Sequence, residues 1–460
     1  MPRPVQIIGG GLAGCEAAWQ VARREVPVVL HEMRPNRTTP AHTTGRLAEL
    51  VCSNSFRSND IHNAAGLLKE EMRRWDSLIL RAAEGARVPA GSALAVDRDE
   101  FARRVTSVLE EHPLIRIRRE EIRSLPGTRT LSIIATGPLT AERLGRDIKA
   151  FTGAENLYFY DAISPVVEAD SIDRSIAFRG SRYGKGQAEE GDYLNCPLDR
   201  EAFDAFHAAL IGATPVEWHA FERKHFFEGC LPIEELARRG KQTLRFGPMK
   251  PVGLIDPRTG QRPYAVVQLR QDNRAATHYN LVGFQNHLKF SEQARILKMI
   301  PGLEKAEFVR FGQIHRNSFI NSPMILRPTY QTRKRDSLLF AGQISGVEGY
   351  LESAASGLMA AITAACLAHG RTPAAFAETT AMGALAHYIT EADPRHFVPA
   401  NISFGLFPPL SRPVRDRRER NRLLGLRALD DSISFRNRSE KEVRPPSSSS
   451  PGPFSAAPTP

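Results

Sequence analysis

The chain of 460 residues carries 62 Lys and Arg against 51 Asp and Glu, a formal net charge of +11, with 42% hydrophobic residues and five cysteines. That length predicts two or more domains, and that apolar content suffices for real cores, which excludes a wholly disordered chain. Cys15, Cys52, Cys196, Cys230 and Cys366 form no C-x-x-C pair and no metal spacing, which excludes a thiol-ligated metal site and predicts free thiols.

In chain order, Val5–Ile8 reads as an apolar strand running into Gly9, Gly10, Gly11, Leu12, Ala13 and Gly14 and then a helix, Cys15–Arg24. Gly9, Gly11 and Gly14 have the G-x-G-x-x-G spacing: one glycine for the turn, one for close approach of a pyrophosphate, one for close helix packing. A second strand, Val26–Glu32, ends in an acid about twenty residues on, which makes Glu32 the candidate ribose ligand. The spacing alone does not separate NAD from FAD. A motif at the very start of the chain points to FAD, in a nucleotide domain completed by distant sequence.

A third strand, Leu131–Ile134, ends in Ala135-Thr136-Gly137, a turn of the kind that closes over a dinucleotide. From about Leu157 to Met324 the texture changes to aromatic and Gly-rich with short alternating runs, among them Arg262–Arg270 and His278–Phe284, which read as strands of an inserted substrate domain. The missing piece of the nucleotide domain is expected at Asp336–Gly346, leading into an Ala-rich helix that runs from near Glu348 to about His369. Gly342, Gln343, Ser353 and Ala354 are the candidate cofactor contacts there, because small residues at a helix start admit a flavin ring and the helix dipole stabilises negative charge on it.

These elements predict an α/β protein: a Rossmann-like, GR2-type FAD-binding domain with a parallel sheet and an inserted α+β substrate domain. The expected boundaries are 1–156 and 325–410 for the two parts of the FAD domain and 157–324 for the insertion, with 411–460 a basic, then Pro/Ser-rich, disordered tail. Residues 411–444 hold eleven basic against six acidic residues, so about half of the positive excess lies upstream of the tail. A sequence pI near 9.6 points to a polyanionic partner, RNA or another phosphate polymer, with a solvated basic surface as the alternative. No run of eighteen apolar residues and no signal peptide ahead of Val5 were found, which predicts a soluble cytoplasmic protein without membrane contact. The oligomeric state stays open, a monomer being compatible.

Cys52, in the polar loop Glu49–Asn59, and Cys230, between Gly229 and Leu231-Pro232, stand at loop or loop-to-helix positions where thiols become nucleophiles. Cys15 and Cys366 sit beside alanines in helices and read as buried hydrophobes. Cys196 fits either.

Several words of the chain resemble the folate- and FAD-dependent tRNA (uracil-5-)-methyltransferase family. They include His31-Glu32-Met33-Arg34-Pro35, Leu50–Ser58, Gly66–Arg73, Phe227–Pro232, Thr243–Pro251, His315-Arg316-Asn317, Gly342–Gly357 and Asn401–Leu406. The Cys-Ser-Asn-Ser and Glu-Gly-Cys-Leu-Pro pair is the most specific, and the tail after about residue 411 is expected to lie outside the likeness. Small departures occur at Cys15, His31 and Asn286-His287.

The resemblance implies methylation of the T-loop uridine of tRNA at C5. The carbon would come from 5,10-methylenetetrahydrofolate and the electrons from FAD, itself reduced by NADPH or NADH. It implies Cys230 as the nucleophile at uracil C6 and Cys52 as its partner near the flavin, with no metal. His315 is the candidate for the pterin, Arg245 and Lys250 for the folate glutamate or RNA phosphate, and Asn401 for shaping the site. The rivals are a related flavoprotein that modifies tRNA wobble uridines and a small-molecule flavin oxidoreductase.

Overall fold

The computed structural model of the chain describes residues 2–39, 41–153, 157–184, 191–216, 231–312 and 314–443, with only the backbone described at 157–162, 314–316 and 439–443. Five parallel strands form the first sheet, in the order Leu338–Phe340, Ser132–Ile134, Val5–Ile8, Val28–His31, Ile115–Arg118. The strand at residue 338 lies against the one at 132, so sequence from both ends completes one sheet. Ile7, Ile133, Leu339 and Phe340 are fully buried, as expected of a parallel sheet covered on both faces.

Two helices cross over this sheet, Leu12–Ala22 and Tyr350–Ala368. Their facing surfaces are Ala- and Gly-rich, and the approach is so close that a Cβ at Gly357 would lie 2.2 Å from the carbonyl oxygen of Ala13. Tyr350–Ala368 is long and apolar enough to cross a membrane by composition, yet 83% of its most apolar window is buried inside the protein, as in a core helix.

The insertion builds its own antiparallel sheet of six strands, ordered Phe178–Gly180, Tyr193–Leu198, Ala265–Gln271, His278–Leu281, Val166–Glu168, Phe308–Arg310. Helix Arg200–Gly212, capped by the Asp199 carboxylate on the Ala202 N–H, buries Phe203, Phe206 and Leu210 in a core separate from that of the parallel sheet. A two-stranded antiparallel ribbon, Leu157–Ala162 with Ile314–Phe319, joins the chain's entry into this region to its exit. The architecture is the α/β flavoprotein type with an α+β insertion.

One expectation is corrected. Residues 417–443, read as tail, form a helix, Arg417–Val443, that packs on helix Ala64–Arg74. Phe435 closes a ring cluster with Phe376 and Trp75, at centroid distances of 4.4 Å and 6.3 Å, and Arg74 donates to the Leu429 carbonyl. The buried Leu424, Ala428 and Phe435 recur at four and seven residues, one helical face hidden in an Arg-rich composition. The Pro/Ser-rich stretch from residue 445 lies outside the described residues.

Gly357→Ala is expected to destabilise the protein by about 1–3 kcal/mol, since a helix backbone must move to admit the methyl group. The denaturant midpoint measures it, and an unchanged midpoint would contradict the helix contact.

Candidate functional site

The parallel sheet ends at the glycine turn. Gly9 adopts φ +109°, and a Cβ at Gly14 would meet the Gly9 carbonyl oxygen at 1.8 Å, so the helix can start only where both are glycine. A Cβ at Gly11 would meet nothing within 4 Å. That open space belongs to a groove of about 1060 Å³ with Gly9–Ala13 on one wall and Glu32 at its rim. The Glu32 carboxylate accepts the Gly10 N–H at 2.8 Å and takes Arg34 through its backbone N–H and guanidinium. Burial pushes this carboxyl up, but the Arg34 hydrogen bonds and charge, with the two backbone N–H groups, hold it below the usual carboxylate range.

The far wall comes from the other end of the chain. Gly342, Gln343, Tyr350 and Ser353 line the groove, as do Thr136, Gly137 and Pro138. The groove is lined by the glycine turn and the start of helix Leu12–Ala22, whose first backbone N–H groups suit phosphate, as a dinucleotide requires. The groove runs on into a second cavity of about 1350 Å³, sharing Val51, Pro138, Leu139, Gln343, Tyr350 and Ser353 with it. Cys52 stands in that cavity.

The Cys52 loop is held from a distance in sequence. The Tyr350 hydroxyl accepts the N–H groups of Cys52 (2.8 Å) and Ser53 (3.2 Å) and donates to Cys52 Sγ at 3.3 Å. Burial, then the neighbouring Cys52, pushes the Tyr350 phenol well above its ordinary range, so it keeps its proton. Arg310 donates to the carbonyls of Val51 and Cys52, and Arg270 to Asn54 Oδ1 and Ser53 Oγ. Burial lowers both guanidinium groups, Arg310 to about 10, which leaves it cationic at neutral pH. Sequence reasoning missed Tyr350, Arg270 and Arg310 as site residues. Only Tyr350 lay in a recognised word, and the two arginines follow from a strand register that no local pattern reveals.

Of the other candidates, Asn401 lines the Cys52 cavity and donates to the Glu348 carbonyl. Ala354 lines neither cavity: one position beyond Ser353, about 100° around the helix, it turns into the core. Arg245 stacks 3.7 Å over the Tyr264 ring and donates to its carbonyl, and neither Arg245 nor Lys250 lines either cavity. The His315 side chain lies outside the described residues; its backbone pairs with Asp161, and Asn317, two residues on, lines the cavity. Cys230 lies outside the described residues too. Ile233, three residues later, donates its N–H to the carbonyl of Gln285, a residue of the cavity wall. Cys15 and Cys196 are fully buried; burial pushes both thiols up, Cys196 to about 12, so neither is a nucleophile at neutral pH.

At the cavity edge Arg57 pairs with the fully buried Glu352, whose Oε1 also accepts the Ile402 N–H. Beneath them Lys69 donates to the Ser58 carbonyl at 2.6 Å. Burial and then the Arg57 charge push the Lys69 ammonium down to about 7, against Glu352, which raises it.

Comparison with known proteins gives a consistent picture. Residues 4–372 match the family model described as Glucose inhibited division protein A, GIDA. The chain is 59% identical over 434 residues to a methylenetetrahydrofolate–tRNA-(uracil-5-)-methyltransferase TrmFO from Pelotomaculum thermopropionicum, covering 94% of this chain and 98% of that protein. It is 57% identical over 430 residues to a protein of the same name from Enterococcus faecalis, with the same two coverages. Likeness over 94% of the chain extends past residue 411, which corrects the expected limit. Among solved structures, GidA from Aquifex aeolicus superimposes with a TM-score of 0.68 at 16% identity, over 96% of this chain and 75% of that one, a likeness of fold.

Two predictions follow from this geometry. Gly11→Ala, whose methyl enters open groove, is expected to leave the denaturant midpoint unchanged and to lower bound flavin, read from absorbance after purification; full flavin content would remove the dinucleotide assignment. For Lys69, the unfolded side chain holds its proton to its ordinary value of 10.5 while the folded one releases it from about 7. The unfolded state therefore binds more protons in that window, and stability rises with pH across it. Lys69→Met is expected to abolish this rise in denaturation midpoints compared at about pH 6 and about pH 9; the same rise in both proteins would contradict it.

Proposed function

Since the chain belongs to the GIDA family and within it to the methylenetetrahydrofolate–tRNA-(uracil-5-)-methyltransferase TrmFO family, we propose that it methylates the T-loop uridine of tRNA at C5, giving 5-methyluridine. The carbon comes from 5,10-methylenetetrahydrofolate and the electrons from FAD reduced by NADPH or NADH, in the cytoplasm. The observation that carries this reading is the glycine-lined groove that shares Gln343, Tyr350 and Ser353 with the adjoining cavity that holds Cys52.

The fit of FAD rests on this chain's own residues: Gly9–Ala13 for the pyrophosphate, Glu32 at the ribose end, and Gly342, Gln343 and Ser353 where the ring system would meet the second cavity. Bound there, the flavin supplies the two electrons that turn a methylene into a methyl group. Uracil C5 is a weak nucleophile, and a thiolate added at C6 makes it an enolate carbon able to take up the one-carbon unit. Cys230 is assigned that addition.

Cys52, with Tyr350 donating to its sulfur, is assigned the exchange of protons at the same base. Buried Arg270 and half-buried Arg310 hold the Cys52 loop in place and set a positive potential around it. His315 and Asn401 are assigned to the folate side. Arg245 and Lys250 line neither cavity, so RNA phosphate outside the cavities is the ligand assigned to them.

Nucleoside analysis of unmodified tRNA, incubated with each cofactor withheld in turn, tests the reading. 5-Methyluridine is expected only when methylenetetrahydrofolate and a reduced nicotinamide are both present, and Cys230→Ala and Cys52→Ala are each expected to abolish it with FAD still bound. Methyl transfer from S-adenosylmethionine, or a fully active Cys52→Ala protein, would overturn the reaction or the Cys52 role respectively.

A further inference from the structure

Arg57 is built in an unusual way. It lies on strand Ser55–Ser58, whose pairing with Ala93–Val96 slips between Ser55 and Ser58, and it takes φ +64°, a left-handed conformation for a non-glycine residue. A bulge of this kind re-aims a side chain at the cost of backbone strain, and such strain persists where surrounding structure fixes it. Here the fixing groups are visible: the guanidinium pairs with Glu352, itself fully buried and tied to the Ile402 N–H. Lys69 donates to the carbonyls of Arg57 and Ser58 from below.

This re-aimed arginine borders two spaces at once. On one side is the Cys52 cavity. On the other is a separate open cleft of about 2030 Å³ between the 402–414 segment and the starts of helices Ala64–Arg74 and Arg417–Val443. That cleft is lined by Arg57, His62, Arg412, Arg417 and Arg420, with the aromatic Phe404, and by no aspartate or glutamate. Arg412, Arg417 and Arg420 are exposed and form no ion pair among the described residues. Neighbouring arginines on the same helix are engaged: Arg422 with Glu419, and Arg427 with the carbonyls of Pro408 and Pro409.

A positively charged trough whose lining holds no carboxylate, and in which Arg412, Arg417 and Arg420 have no ion-pair partner among the described residues, suits a polyanion, and a trough that ends on the wall of a reaction cavity suits the polymer whose base must enter that cavity. We propose that this cleft carries the RNA strand, with Arg412, Arg417 and Arg420 on its phosphates, and that Arg57 at the junction holds the phosphate beside the nucleotide turned into the Cys52 cavity. The proposal rests on tRNA being the substrate. It assigns to the C-terminal helix a part in substrate binding.

The test uses the full chain loaded with FAD and an unmodified tRNA transcript. Replacing Arg412, Arg417 and Arg420 together by glutamine is expected to weaken tRNA binding at least about tenfold and to flatten the dependence of log affinity on log salt by about two to three, while flavin absorbance stays unchanged. The triple lysine replacement is expected to restore the salt dependence. Arg57→Gln is expected to lower methylation turnover more than tRNA affinity. Wild-type affinity and salt dependence in the glutamine variant would overturn the cleft, and unchanged turnover in Arg57→Gln would overturn the junction role. A wild-type protein that binds no tRNA and forms no 5-methyluridine would instead overturn the substrate reading, and this proposal with it.

Discussion

The close approach of two helices, Leu12–Ala22 and Tyr350–Ala368, is the constraint on which the site depends. The backbone at Ala13 occupies the place of a side chain at Gly357, and the carbonyl of Gly9 does the same at Gly14. Because those side chains are absent, the glycine turn at one end of the chain and the 342–353 segment at the other face each other across a single groove. A larger residue at either place would part the walls before it touched any ligand.

The same long helix then does a second job. Its first residue, Tyr350, reaches out of the groove to the Cys52 loop and takes two of its backbone N–H groups. Two turns of packing deeper, Ser356 accepts the N–H of Gly342 at 2.7 Å and fixes the turn before the helix. One element thus sets both the floor of the nucleotide groove and the position of the thiol in the adjoining cavity. Arg270 and Arg310, from the inserted sheet, hold the loop from the opposite side, so the site is complete only where parallel and antiparallel sheets meet. The cost of burying such charges is offset by hydrogen bonds to carbonyls, a side-chain amide and a hydroxyl.

The parts of this arrangement that were legible in the sequence were the local ones. Strand, glycine turn, helix and terminal acid over residues 5–32 follow from spacing, because each contact spans few residues, and the Gly342 segment follows from its small residues. Ala354 was misplaced because a helix turns about 100° per residue, and the sequence of its start does not say which side faces the groove. Arg270 and Arg310 were illegible for a different reason: their partners lie more than 200 residues away, and only the strand order brings them together. The C-terminal helix was hidden by composition, since the buried apolar side chains that carry its packing, Leu424, Ala428 and Phe435, are scattered among many arginines.

A crystal structure of the FAD-bound protein tests the central claim most directly, because the claim is about where the ring system ends. The account predicts the isoalloxazine against Gln343, Tyr350 and Ser353, with one face or edge open to the cavity containing Cys52. A ring bound away from that wall, or one separated from Cys52 by closed protein, would contradict it.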